Sequence, residues 1–240
     1  MKGNVARGAS YLTRGARMLN HPSLRLFVLI PLLVNILIFG SLITVGFSYI
    51  SDAMDSMLSR IPSWLNFIRW ILWPLIVITV SLATGFLFTT IALIIASPFN
   101  ALLAEKAEEL ITGGPVDSLE GFGAAVLAIP KSILRELAKL VYYIPMALFA
   151  VLLSFIPGVG AIAWLVLAAW MMSIQFVDYP MDNHQLSFSD VKEAVRRRRL
   201  SSMGFGGLVA LCASIPVINF IVVPAAVVGA TLLWCEELNQ

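Results

Sequence analysis

Four long stretches of the chain carry no charged residue: Leu26–Ser51, Trp70–Ala104, Leu140–Val177 and Leu200–Cys235. They hold 26, 35, 38 and 36 residues, whereas one helical membrane crossing needs about 20 apolar residues. Hydrocarbon offers no water to satisfy the backbone, so runs of this kind predict helices with internal hydrogen bonds. The first run reads as one crossing, over residues 23–51. It is too long for the apolar core of a signal peptide and no small-residue cleavage site follows it, so it is expected to remain attached. The second, over residues 70–104, would reach ~52 Å as a continuous helix. It is expected to project beyond the hydrocarbon and to end near Ser97-Pro98-Phe99-Asn100.

The third and fourth runs are interrupted from within. Ile156-Pro157-Gly158-Val159-Gly160 breaks one and Ile215-Pro216-Val217-Ile218-Asn219 breaks the other. Proline lacks an amide donor and glycine tolerates a sharp turn, so each run predicts two helices meeting at a bend. The expected hairpins span residues 140–177 and 203–235. The arms are short: Met203–Ile215 gives ~20 Å and Val217–Trp234 ~27 Å, against a hydrocarbon core of ~30 Å. Half-penetrating hairpins follow, and bends at membrane depth require cover from protein or a polar cavity. The shared Ile-Pro bend, 59 positions apart, also matches the interrupted segments that mark transport sites.

Charge is confined to the segments between these runs. An N-terminal segment over residues 1–22 places Val5, Leu12, Ala16 and Leu19 on one helical face, among Lys2, Arg7, Arg14 and Arg17. Residues 118–139 set Ile129, Ile133, Leu137 and Leu140 in a stripe beside Lys131, Arg135 and Lys139. Residues 187–200 carry Lys192 and the run Arg196–Arg199. These are expected to be basic amphipathic helices at one membrane face. Fourteen Lys and Arg lie on that side against two, Arg60 and Arg69, in the loop from Asp52 to Arg69, which predicts a cytoplasmic N-terminus. The expected fold class is an all-α integral membrane protein in a single embedded domain, with two long transmembrane helices and two pairs of short, half-penetrating helices.

Composition narrows the function. The chain is 59% hydrophobic and 12% charged, with a mean hydropathy of +0.90; soluble chains carry about twice that charge. A soluble enzyme and a disordered chain are excluded, and a net charge of +2 is too small for a nucleic-acid binder. Cys212 and Cys235 sit in apolar surroundings and read as small hydrophobes. There is no phosphate loop, nucleophile elbow or metal-spaced histidine pair. No metal, no cofactor and no enzymatic activity are expected.

The strongest candidate for chemistry is the start of the first crossing, Asn20-His21-Pro22-Ser23-Leu24-Arg25-Leu26. Asn20 or Ser23 can cap it, and Pro22 fits a first helical turn. Unpaired first-turn amides, the positive end of the helix dipole and the Arg25 guanidinium together make a small-anion site. The alternative is that Arg25 only snorkels to headgroups. Further pore or gate candidates are Glu105, Arg135, Asp178, Asp182, Asn183 and Arg199. Glu105, Glu108 and Glu109 either line a mouth or pair with Lys106 and Arg135, with Glu108 and Glu109 read as solvated charge; around Asp178, Asp182 and Asn183 the choice is between a gate or ion-pair member and a capped turn. The four-arginine run reads as an anchor for anionic lipid, with at least one side chain able to point inward.

At these residues the sequence resembles the CysZ family of bacterial sulfate permeases. The likeness rests on Ser23-Leu24-Arg25-Leu26-Phe27-Val28-Leu29-Ile30-Pro31-Leu32-Leu33-Val34-Asn35, on Ser97-Pro98-Phe99-Asn100-Ala101-Leu102-Leu103-Ala104-Glu105, and on Phe155-Ile156-Pro157-Gly158-Val159-Gly160. It continues through Asp178-Tyr179-Pro180-Met181-Asp182-Asn183-His184 and Phe205-Gly206, over nearly the whole chain. The resemblance implies a multi-pass protein of the bacterial inner membrane that imports sulfate for cysteine biosynthesis. It also implies a homo-oligomer embedded among membrane lipids. The family's Gly-Leu-Arg-Arg anion motif falls on Ser23, Leu24, Arg25 and Leu26, which makes Ser23, Leu24 and Arg25 the implied sulfate-binding residues. Serine replaces the glycine and leucine the second arginine.

Sulfate is a strongly hydrated dianion, so a path for it must offer amide and hydroxyl donors in place of water. The absence of an ATP motif points to a channel-like or ion-coupled permease. The alternative is a membrane scaffold or lipid-interacting protein whose hairpins wedge one leaflet.

Overall fold

A computed structural model of the chain describes residues 3–34, 98–116 and 129–239, together with positions 36–37, 40–41, 70, 73–75, 77–79 and 82. Most of the expected crossings over 23–51 and 70–104, and residues 118–128 of the second basic segment, lie outside the described residues. Packing divides the chain into two compact units: Met1–Leu29 with Ser97–Gln240, and Ile30–Ala96.

Helix α1 spans Val5–Met18 and starts at Asn4, whose side chain accepts from the Arg7 amide at 3.1 Å. Two turn residues lead into α2 (Pro22–Val34). Helix α3 covers 98–112. Then come α4 (Ile129–Leu153) and α5 (Val159–Asn183), α6 (Phe188–Arg197), and the pair α7 (Arg199–Ala213) and α8 (Pro216–Leu233). A π-helical turn, Trp234–Leu238, ends the chain's helical course. Every regular element among the described residues is helical, as an all-α membrane protein requires. Among the described residues three stretches are long and apolar enough to cross a membrane: Ile133–Leu153, Val159–Asn183 and Ile218–Leu238.

Both bends fall where the prolines placed them. Gly158 holds φ +78° before α5, a left-handed geometry that residues with a Cβ resist. Ile215 is extended (φ −97°, ψ 110°) ahead of Pro216, the first helical residue of α8, as steric pressure on a pre-proline residue demands. Yet Pro145, Pro180 and Pro224 sit inside helices, as membrane helices tolerate.

The arms of the first hairpin are longer than the charge-free run suggested. α4 and α5 hold 25 residues each, ~38 Å at 1.5 Å per residue. A charge ends a hydropathy run but not a hydrogen-bonded helix, so α4 begins well before Leu140 and α5 continues past Val177. The second hairpin keeps a short first arm, the 15-residue α7.

Helix α8 is the centre of the unit. Pro224 to Trp234 are all buried, wrapped by α1, α5 and α7. Apolar surface elsewhere faces out: Phe155 is 82% exposed at the first bend. Around α4 the expected polarity is inverted. Ile133, Leu137 and Leu140 point outward while Lys139 and Tyr143 are buried. In lipid the outer surface is the apolar one, so the charged face of an amphipathic helix turns inward to find partners.

α1 is also packed more deeply than its pattern implied. Gly8, Tyr11, Leu12 and Gly15 form its buried seam, and Val5 is exposed. A Cβ on Gly8 would fall on the Ser201 carbonyl of α7, and one on Gly15 on the Ala225 carbonyl of α8. Gly204 and Gly229 meet α1 from the other side. Small residues let backbones approach closely, and that packing holds helices together where lipid is as apolar as leucine.

Candidate functional site

Two sites emerge from the expected residues. The first is the start of α2. Leu24 is fully buried, packed in the core among the neighbouring apolar side chains of α1 and α2. This anchor fixes the helix start while Ser23 and Arg25, on either side, stay exposed. The His21 carbonyl accepts from the Leu24 amide at 3.0 Å. The Ser23 amide donates to His21 Nδ1 at a long 3.4 Å, a bond that an anion can readily displace. Arg25 Nε donates to the Asn20 carbonyl at 3.1 Å, which holds the guanidinium at the helix start. Among the described residues its two Nη groups have no partner. Amide, hydroxyl and guanidinium donors thus gather at the positive end of a helix.

The second is a buried ion network between α4 and α5. Arg135 Nε donates to Asp178 Oδ1 at 2.7 Å and Nη1 to Asp182 Oδ1 at 2.6 Å. Nη1 also reaches the Leu186 carbonyl at 2.8 Å. Lys139 Nζ pairs with the other oxygen of Asp178, Oδ2, at 2.7 Å, and with Glu136 Oε1 at 2.7 Å. Gln175 Nε2 donates to that same Glu136 oxygen at 3.2 Å. Lys139 and Asp178 are 3% and 7% exposed, so this charge is held away from solvent. Two cations face three carboxylates, and Arg135 Nη2 is buried with no hydrogen-bond partner among the described residues. The network clamps two helices; it offers no positive field for an incoming anion.

Arg135, Asp178 and Asp182 are therefore brought together in one network, a pairing the sequence did not specify: Arg135 was expected to be a partner for the glutamates of α3. Asn183 is buried one residue further on and turns to α3, where Nδ2 donates to the Ala101 carbonyl at 3.0 Å. Glu105 is half-buried on α3 with no ion pair among the described residues. Arg199 stands exposed at the start of α7, apart from the network.

Several polar residues escaped the sequence argument. Lys139 and Glu136 complete the network, and a signal for them existed. Arg135/Lys139 and Asp178/Asp182 are both spaced i, i+4, so two facing helices of a hairpin present matching pairs. On α3, Glu108 was expected to be solvated charge but is 4% exposed, because its Oε1 lies 2.8 Å from His184 Nε2 and two residues far apart in sequence meet. The third group pins α1 to the π turn. Arg7 Nε is 3.1 Å from Glu237 Oε1, and Arg14 pairs with Glu236. Tyr11 Oη donates toward Glu236 Oε2 and Glu237 Oε1, each at 3.1 Å. Ser201 Oγ donates to Glu237 Oε2 at 2.7 Å. Burial first, and then the Glu237 and Glu236 charges, push the Tyr11 hydroxyl well above its ordinary range. The π turn widens the helix locally, the insertion that lets consecutive glutamates serve one neighbour.

The sequence was compared with known proteins on this background. Residues 11–224 match the family described as sulfate transporter CysZ/etoposide-induced protein 2.4. A sulfate transporter CysZ of Pseudomonas fluorescens (strain Pf0-1) is 42% identical over 99% of this chain and 96% of its own. The protein of that name from Pectobacterium atrosepticum is 40% identical over 97% of this chain and 86% of its own. That from Vibrio cholerae is 40% identical over 97% and 94%. With a match across most of its length and relatives at this identity, the chain belongs to the sulfate transporter CysZ/etoposide-induced protein 2.4 family.

Proposed function

We propose that the chain is a sulfate permease of the bacterial inner membrane, acting as a transporter and not as an enzyme, with Ser23, Leu24 and Arg25 as its capture site. The observation that carries this is the anchored start of α2: Leu24 is buried while Ser23 and Arg25 flank it in the open. A dianion arriving there can take the Ser23 amide and hydroxyl and the two Nη groups of Arg25. The relatives named as sulfate transporters align over nearly all of the chain, which supports sulfate as the dianion. Transport is channel-like or ion-coupled without ATP hydrolysis, and delivers sulfate for cysteine synthesis.

The Arg135–Asp178–Asp182–Lys139 network belongs to the gate in this proposal, with Glu105, Asn183 and Arg199 along the path. Its paired charges hold α4 against α5, so opening would separate charges that have no other partner in hydrocarbon. The N-terminus faces the cytoplasm, and the assembly is a homo-oligomer among membrane lipids.

The test is uptake of labelled sulfate into liposomes that contain the purified protein, with phosphate and chloride as competitors and Arg25→Ala in parallel. Saturable uptake that phosphate does not suppress and Arg25→Ala weakens is the expected result. Uptake equal to that of empty liposomes would refute the permease. Uptake unaffected by Arg25→Ala would remove the capture site from the start of α2. Salt-sensitive binding to anionic vesicles without flux would turn the assignment toward a scaffold.

A further inference from the structure

Among the described residues Lys192, on α6, is a cation without a carboxylate partner. The capping box Ser187/Asp190 starts the helix, and Val191, Ala194 and Val195 are its buried face. Lys192 is half-buried. Its Nζ lies 4.9 Å from the centre of the Phe188 ring and 5.1 Å from that of Tyr142 on α4. Ring faces attract an ammonium but do not neutralise it. One turn on, Arg196 is 76% exposed and only loosely paired with Glu193, at 3.4 Å.

The rings beneath this cation form a belt. Trp170 Nε1 of α5 donates to the Tyr142 hydroxyl at 3.1 Å. Phe188 meets the Tyr142 ring edge-on, with centroids 5.7 Å apart. The Tyr142 hydroxyl proton has no acceptor among the described residues. Trp and Tyr with one polar end and one apolar end mark the depth where headgroups begin. Below the belt the surface is bare and apolar: Phe149, two turns along α4 from Tyr142, is 62% exposed, and Val166, one turn from Trp170, is 50% exposed. Cationic and hydroxyl donors above and an apolar face below match the two halves of one molecule.

We propose that Lys192, Arg196 and Tyr142 bind the phosphate of an anionic phospholipid, with its acyl chains lying along Phe149 and Val166. The apolar surface joined to the donors selects a lipid over a free oxyanion. The site is independent of the sulfate site at the start of α2.

The experiment uses the purified full-length protein in a neutral maltoside detergent. Native mass spectrometry measures binding of dioleoyl-phosphatidylglycerol and of dioleoyl-phosphatidylcholine, with inorganic phosphate as competitor. Phosphatidylglycerol is expected to bind in preference to phosphatidylcholine and to resist millimolar phosphate. Each surface cation contributes enough that Lys192→Gln should weaken phosphatidylglycerol about fivefold. Arg17→Gln, an exposed charge on α1, should bind like wild type. Arg196→Gln and Tyr142→Phe report on the same site should Lys192→Gln fail to fold, as judged by far-ultraviolet circular dichroism. Equal affinity for the two lipids, or undiminished phosphatidylglycerol binding by the substituted proteins, would overturn the proposal. Displacement by inorganic phosphate as effective as by lipid would make it a free-oxyanion site and overturn the lipid assignment.

Discussion

Asp178 holds two buried cations at once, one on each carboxylate oxygen, and Asp178→Asn should expose how much the α4–α5 pairing depends on it. The substitution keeps the shape and removes the charge. Lys139, 3% exposed, is left with Glu136, which is half-exposed and screened. Arg135, 9% exposed, is left with Asp182, 24% exposed, and the Leu186 carbonyl. Removing one member of a buried ion pair costs about 3–5 kcal/mol because its partner stays buried and uncompensated. The surviving carboxylates place Asp178→Asn near the lower end, at about 3 kcal/mol. Lys139→Met costs less, since Asp178 retains Arg135 and methionine fills the same space. The double variant removes the stranded charge, so it should be at least ~1 kcal/mol more stable than the summed single losses predict. Reversible unfolding in mixed maltoside–dodecyl sulfate micelles, followed by circular dichroism, measures all three. A loss below ~1 kcal/mol for Asp178→Asn, or strict additivity in the cycle, would refute the claim that the network clamps the hairpin.

Three further outcomes are expected. Gly15→Val should lower the unfolding temperature of the purified protein sharply, because its branched side chain would collide with the Ala225 carbonyl, whereas Ala6→Val on the exposed face of α1 should leave it nearly unchanged. Glu237→Gln should cost about 1–3 kcal/mol by removing the charge that Arg7, Tyr11 and Ser201 share, and should speed proteolysis within the first 20 residues. Hydrogen bonds from the Ser187 hydroxyl and amide hold the Asp190 carboxyl below its ordinary value of 3.8. Its folded pKa is depressed, so the capping contribution is complete above pH 3.8 and fades as pH falls through the lower folded value. Amide exchange in α6 should accelerate over that acid range, and Asp190→Asn should abolish the pH dependence.

Which residues reach one another depended on hydropathy less than the apolar runs suggest. The bends at Pro157-Gly158 and Ile215-Pro216 and the start of α2 at Pro22 were legible because they are local: a missing amide donor or a left-handed φ acts within a few residues. Helix limits were less so, since α4 and α5 run through Arg135, Lys139, Asp178 and Asp182 by pairing those charges across the hairpin. The Glu108–His184 contact joins positions 76 apart, and no spacing rule links them. Glu236 and Glu237 gained their partners through a π turn that sequence pattern does not announce.

By itself the sequence determined that the chain is helical and membrane-embedded, where it bends, and where α2 begins. Each of these follows from water–hydrocarbon transfer or from backbone chemistry within one turn. Tertiary structure decided which apolar helix is covered by protein and which by lipid. From Pro224 onward α8 is enclosed while the outer stripe of α4 is bare, and both satisfy the same hydrophobic pattern, because hydropathy measures escape from water and lipid offers that escape as well as a protein core. Small residues distinguish the two only once two helices are in contact. Gly8 and Gly15 became the seam of α1, in place of the expected face through Val5 and Ala16, because Ser201 and Ala225 press their backbones against them.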